Sequence, residues 1–124
     1  MTCFWDGIIN GLKPKMNRLE FMAYLKEKNV PVEDVKWQGK LLSKKIQAEF
    51  VEAVKDYNVK QAPGGYWCSS CDYNLVLICH LYKINIIHMY NKNIIKYEYA
   101  GKTHSGVEYT FESNTAHFWF KSKK

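Results

Sequence analysis

The chain has 124 residues, 47% hydrophobic and 15% aromatic, which is enough apolar material for one core in a single domain and excludes a disordered chain. No apolar run approaches the length of a bilayer crossing and no charged flank leads into an apolar stretch, so neither an anchor nor a secretory signal is expected, and a cytoplasmic protein is the default. The net charge of +6 comes from 18 basic against 12 acidic residues, but the lysines are spread through every segment and form no phosphate-tracking stripe.

Phe4, Ile8 and Leu12 recur every four residues with Trp5 and Ile9 beside them, which predicts a helix with one buried face. Cys3 falls in its first turn, where unpaired backbone N–H groups and the positive end of the helix dipole favour a thiolate. Gly11-Leu12-Lys13-Pro14 is expected to break this helix. Asn17 and Glu20 have capping-box spacing, and Leu19, Met22 and Leu25 supply a core stripe for a second helix as far as about Lys28. Val30 to Leu42, with Pro31, Gly39 and scattered charges, reads as a connection with at most one helical turn. Ser43 can cap a third helix, whose Ile46, Phe50, Val54 and Tyr57 keep helical spacing while Lys44, Lys45, Glu49, Glu52 and Lys55 face water.

Asn58 to Trp67 reads as a loop in which Pro63-Gly64-Gly65 turns Tyr66 and Trp67 toward a surface or a pocket rim. Asp72 can cap a fourth helix, apolar nearly all round and so central, with Leu75, Ile78, Cys79 and Tyr82 on one side. Ile84 to Tyr90 is a β-branched run predicting a buried strand. Asn91-Lys92-Asn93 then leads as a hairpin connection into Ile94 to Tyr99. Ala100 to Gly106 is polar loop, Val107, Tyr109 and Phe111 alternate as a third strand, and His117 to Phe120 makes a fourth. Lys121 to Lys124 reads as a solvated tail. Helices first and antiparallel strands last predict an α+β domain.

Cys3 and His117 lie 114 positions apart, so only a fold that joins its two ends can pair a thiol with an imidazole there. From the residues alone, the simpler reading is that Cys3 is a small buried apolar residue and His117 a partly exposed strand residue, because one Cys and one His prove little. Thr2-Cys3-Phe4-Trp5 comes first, then Gly64-Gly65-Tyr66-Trp67 leading into Asp72, the junction Leu81 to Ile87, and Ala116-His117-Phe118 at the close. In that order these segments resemble the ovarian-tumour-like (OTU-like) cysteine proteases, papain-like enzymes whose shorter versions are viral. The resemblance implies a papain-like, OTU-like α+β fold over residues 1–120, with N-terminal helices packed on a small C-terminal antiparallel β-sheet and residues 121–124 as a basic tail. It implies a deubiquitinase or related peptidase with Cys3 as nucleophile and His117 as base. A ubiquitin, ubiquitin-like or polyprotein substrate would be cut in the (host) cytoplasm by a monomer with no cofactor.

The family's Asp-Gly-Asn type loop before the cysteine is replaced by Met1 and Thr2, so backbone N–H groups of Thr2 or Cys3 would form the oxyanion hole. The position two after the histidine, where the family orients the ring with Asp or Asn, is Trp119. Asn114 or Glu112 is then the candidate for that role, and a pair without a third member is the other option. Tyr66, Trp67 and Trp119 are candidate substrate contacts. A ubiquitin tail is basic and this chain is positive, so Asp6, Glu108 or Glu112 would have to reverse the sign locally.

Trp67-Cys68-Ser69-Ser70-Cys71-Asp72 carries a Cys-x-x-Cys at a helix start, which supports a rival thiol oxidoreductase with Cys68 attacking and Cys71 resolving. All three prolines lie upstream of it, whereas a thioredoxin fold needs one downstream. Zinc would need Cys79 or His80 as further ligands, yet neighbours on a helix point about 100° apart, so no metal is expected. His88 reads as a hydrogen-bonded core residue and His104 as solvated. A nucleic-acid-binding module has only composition behind it, because no RNP-like, helix-turn-helix or zinc-finger signature is present. A catalytically silent interaction domain with the same fold is the remaining alternative.

Overall fold

Capping chemistry starts two of the helices. The computed structural model describes residues 3–57, 72–114 and 117–124, Cys3 through its backbone. Helix α1 spans Cys3–Leu12 and α2 Arg18–Glu27. At the start of α2 the Asn17 side chain accepts the Glu20 N–H at 2.8 Å while the Glu20 carboxylate accepts the Asn17 N–H at 3.0 Å, a complete capping box. Ser43 Oγ accepts the Ile46 N–H and opens α3, Lys44–Asp56. Helix α4, Asp72–Tyr82, is buried on nearly every side, as its composition predicts.

Val30 to Leu42 is not a plain connection. It holds a β-hairpin of β1 (Val35–Trp37) and β2 (Lys40–Leu41), turned at Gln38 (φ 54) and Gly39 (φ 85), where Gly39 has no Cβ to strain. Strands β3 (Asn85–Tyr90) and β4 (Asn93–Tyr99) form the expected hairpin, closed across Tyr90 and Asn93. Strands β5 (Glu108–Ser113) and β6 (Phe118–Lys123) complete a six-stranded sheet in the order β2-β1-β4-β3-β5-β6.

This sheet corrects the expected small antiparallel one in two ways. It recruits a hairpin from the middle of the chain, and β5 runs parallel to β3 because the chain crosses from one side of β3 to the other after β4. The crossing loop is tied to the start of β3. Asn85 Oδ1 accepts the Tyr99 N–H and faces His104 Nε2 at 2.8 Å, and Ser105 N–H donates to Lys83 O, so His104 is a loop clamp rather than merely solvated. The tail expected from Lys121 onward is instead strand: β6 runs to Lys123, and Lys124 exchanges two backbone bonds with Glu108.

One face of the sheet is buried. Val35, Tyr97, Ile86, His88, Phe111 and Phe118 share its parity, and α1 and α4 lie over it with α2 and α3 packed behind. The other face carries Lys96, Ile94, Glu112 and Trp119 and is open among the described residues. Leu19 does not join the core; it is half exposed, and Phe21 takes its place beside Met22 and Leu25. Helix α1 ends within Gly11-Leu12-Lys13-Pro14 as expected, with Gly11 still inside it. The helix runs to Leu12, and the backbone turns at Lys13 (φ 51) before Pro14.

Candidate functional site

Helix α1 approaches β6 so closely because two of its residues have no side chain. A Cβ on Gly7 would lie 2.6 Å from the Phe118 ring, and one on Gly11 would lie 2.8 Å from Phe120 and 3.0 Å from Phe111. Four residues apart, these glycines form a flat strip on which the aromatic strand rests. Helix and strand thus ascend together, Gly7 beside Phe118 and Gly11 beside Phe120. The start of α1 therefore meets the start of β6, and the rings of Phe4 and Phe118, next in sequence to Cys3 and His117, have centroids 4.8 Å apart. Trp5, fully buried, fixes the same turn by packing edge-on against Phe4 and donating its indole N–H to the Tyr57 hydroxyl at 2.9 Å.

His117 enters from the β5–β6 turn. Asn114 Oδ1 accepts the His117 N–H at 2.8 Å and Asn114 N–H donates to the His117 carbonyl at 2.9 Å, so the observed work of this amide oxygen is to hold the turn. His117 is exposed and lies one residue before β6, with the parity of Trp119 rather than that of Phe118. Trp119 stands on the open face, across from Glu112 and away from α1. Glu112 itself is paired with Lys121 at 2.8 Å, so the carboxylate considered for orienting the histidine serves a lysine. Thr2, Tyr66, Trp67, Cys68 and Cys71 lie outside the described residues, and with them the oxyanion and loop candidates and the Cys-x-x-Cys pair.

Beneath Phe118 sits a polar pair that sequence reasoning did not connect with the site. His88 is fully buried on β3, its Nε2 lies 2.6 Å from Ser113 Oγ, and its ring packs 5.4 Å from that of Phe118. Nδ1 has no partner. Burial pushes the imidazole down to about 4, so it is neutral at physiological pH. A histidine in an apolar run signals burial but not its neighbours, and only the parallel β3–β5 register sets Ser113 two positions from its ring.

The remaining candidates are held apart. Cys79 is fully buried with its Sγ 3.8 Å from the Tyr97 carbonyl, and burial pushes its thiol well above the usual value, leaving no nucleophile there. Its neighbour His80 turns instead to Asp34, Nδ1 to Oδ1 at 2.7 Å. Among the described residues no cluster of three or more His, Cys, Asp or Glu could hold a metal ion, and no helix is long and apolar enough to cross a membrane. No family model, curated protein or solved structure matches the chain.

Proposed function

We propose that the chain is a cysteine-dependent acyl-transfer hydrolase of the papain-like, OTU-like kind, acting on ubiquitin-type conjugates or a polyprotein junction in the cytoplasm, in the manner of the shorter viral enzymes. The observation that carries this is the meeting of the two chain segments at the Phe4–Phe118 contact, which sets a thiol-bearing helix start beside the turn that bears the imidazole. In the reaction, the Cys3 thiolate attacks the substrate carbonyl, N–H groups at the helix start hold the oxyanion, and His117 first takes the thiol proton and then returns it to the leaving amine. Continuing the alternation of β6 puts His117 on the side of Trp119, so in this reading its ring reaches α1 over the rim of the sheet.

That parity, together with the Asn114 oxygen already accepting a backbone N–H, favours a second reading in which the fold is kept as an interaction domain without a competent triad. A ubiquitin-type electrophilic probe separates the two. Under the first reading the full chain forms an adduct mapped by mass spectrometry to Cys3, Cys3→Ala forms none, and His117→Ala slows it at least tenfold. Adduct formation that persists in Cys3→Ala removes Cys3 from the mechanism, and a folded wild-type chain that forms no adduct supports the silent domain.

A further inference from the structure

Strand β4 is seven residues long, but the strand beside it on the hairpin side, β1, is only three. β1 pairs with Tyr97, Glu98 and Tyr99, and the chain then turns back at Gln38 and Gly39. The last bond across is from the Gln38 N–H to the Lys96 carbonyl, 2.9 Å. Backbone groups two residues apart on a strand face the same way, so the Ile94 N–H and C=O also point to the hairpin side, where no strand of the described residues meets them. Ile94 is the most exposed large hydrophobic residue described, at 59%. The space beyond the turn is an open groove of about 780 Å³, bounded by Gln38 and Gly39 on one side and by Asn93, Ile94, Ile95, Lys96 and Glu98 on the other.

We propose that the stretch of β4 beyond this last bond, centred on Ile94, is a docking edge that takes an extended acidic peptide as an added strand in line with β1. Unpaired main-chain groups supply the affinity of strand addition, and flanking side chains choose the partner. The charged residues lining the groove are exposed Lys96 and half-buried Glu98; Lys36 stands across from Glu98, and exposed Lys40 and Lys92 are next in sequence to Gly39 and Asn93, so cations outnumber the one carboxylate. Such an edge attracts carboxylates. It also repels its own copy, because like-charged edges brought together oppose each other, so a second copy of this chain is the disfavoured occupant. The proposal goes beyond the thiol chemistry and stands whether or not Cys3 reacts.

The test is an amide NMR titration of the full chain with a short capped peptide alternating Glu and Val. Shifts are expected at Gln38, Gly39, Ile94 and Lys96, with slowed hydrogen exchange at the Ile94 N–H. Lys92→Glu and Lys96→Glu, substitutions of exposed side chains, should each weaken binding several-fold, and a peptide N-methylated along its pairing edge should not bind. The proposal is overturned if the N-methylated or a Lys-Val peptide binds as well, if Ile94 does not respond, or if the same amides shift when the protein alone is concentrated.

Discussion

Helices α1 and α4 cover the same face of the sheet, α1 over β6 and α4 over β4 and β1, yet different material lies between helix and strand. At α1 the seam is glycine against aromatic rings, with Phe118 touching Phe4 and Phe111. At α4 the seam is polar as well as apolar. The Tyr97 hydroxyl donates to the Asp72 carboxylate, Cys79 faces the Tyr97 carbonyl, and fully buried Asn74 has no partner for its amide among the described residues. The first seam depends mainly on shape, so it should be sensitive to added or removed atoms and to pH only through His88 packed beneath Phe118. The second depends on a charge held away from water, and should be sensitive to pH.

The largest effect expected is from Phe118→Ala, which deletes the ring on which both Phe4 and His88 rest. Such truncations in a core cost about 3–5 kcal/mol, and the urea midpoint should fall accordingly. A loss below about 1 kcal/mol would mean that α1 is held by something other than this seam.

Next comes pH. Burial lifts the Asp72 carboxyl to about 6 despite its bond from Tyr97, so the folded state holds that proton more tightly than the unfolded chain, and stability is lost as pH rises through 6. His88 works in the opposite sense. Its folded value of about 4 is below the usual 6.5, so its contribution is complete above 6.5 and lost as pH falls through 4. Each amounts to roughly 3 kcal/mol over nearly the same window, and the two largely cancel. Denaturation of Asp72→Asn at a series of pH values should therefore show stability rising between about pH 4 and 6.5, a slope the native chain hides. An unchanged profile in the variant would show that Asp72 is not the buried acid inferred.

Gly7→Ala is the smallest and most local change. Overpacking typically costs about 1–3 kcal/mol, of which better helix propensity restores up to about 1 kcal/mol, for a net loss near 1 kcal/mol in a thermal melt. A stabilised Gly7→Ala would mean that the helix can back away from Phe118 without penalty.

How much of this was legible in the sequence differs between elements for physical reasons. The third helix could be read because Ser43 caps it and Val54 and Phe50 face inward, and the second because its capping box is local. The β3–β4 hairpin announced itself through a β-branched run and a short polar turn. The β1–β2 hairpin did not, since three-residue and two-residue strands are too short to show a period, and a Gln-Gly turn is a weaker signal than Asn-Gly. Parallel pairing of β3 with β5 is a property of the crossing, not of either strand, as alternation carries no direction. The break at Gly11-Leu12-Lys13-Pro14 was legible, whereas the use of Gly11 as a contact surface for Phe120 and Phe111 was not. For the site, the meeting of the two ends could be anticipated from Cys3 and His117. The parity of the histidine, the engagement of Asn114 and Glu112, and the His88–Ser113 pair required a register to be known.

The glycine strip has a consequence for how the molecule comes into being. Its helix belongs to the first residues of the described chain and the strand it rests on to the last, so during synthesis α1 can lean on Phe21 and Tyr57 through Trp5, but the glycine strip has nothing to fit until Phe118 has left the ribosome. Pairings this distant in sequence are slow to form. Until they do, Phe4 and the glycine strip remain uncovered, and this seam closes only when β6 arrives.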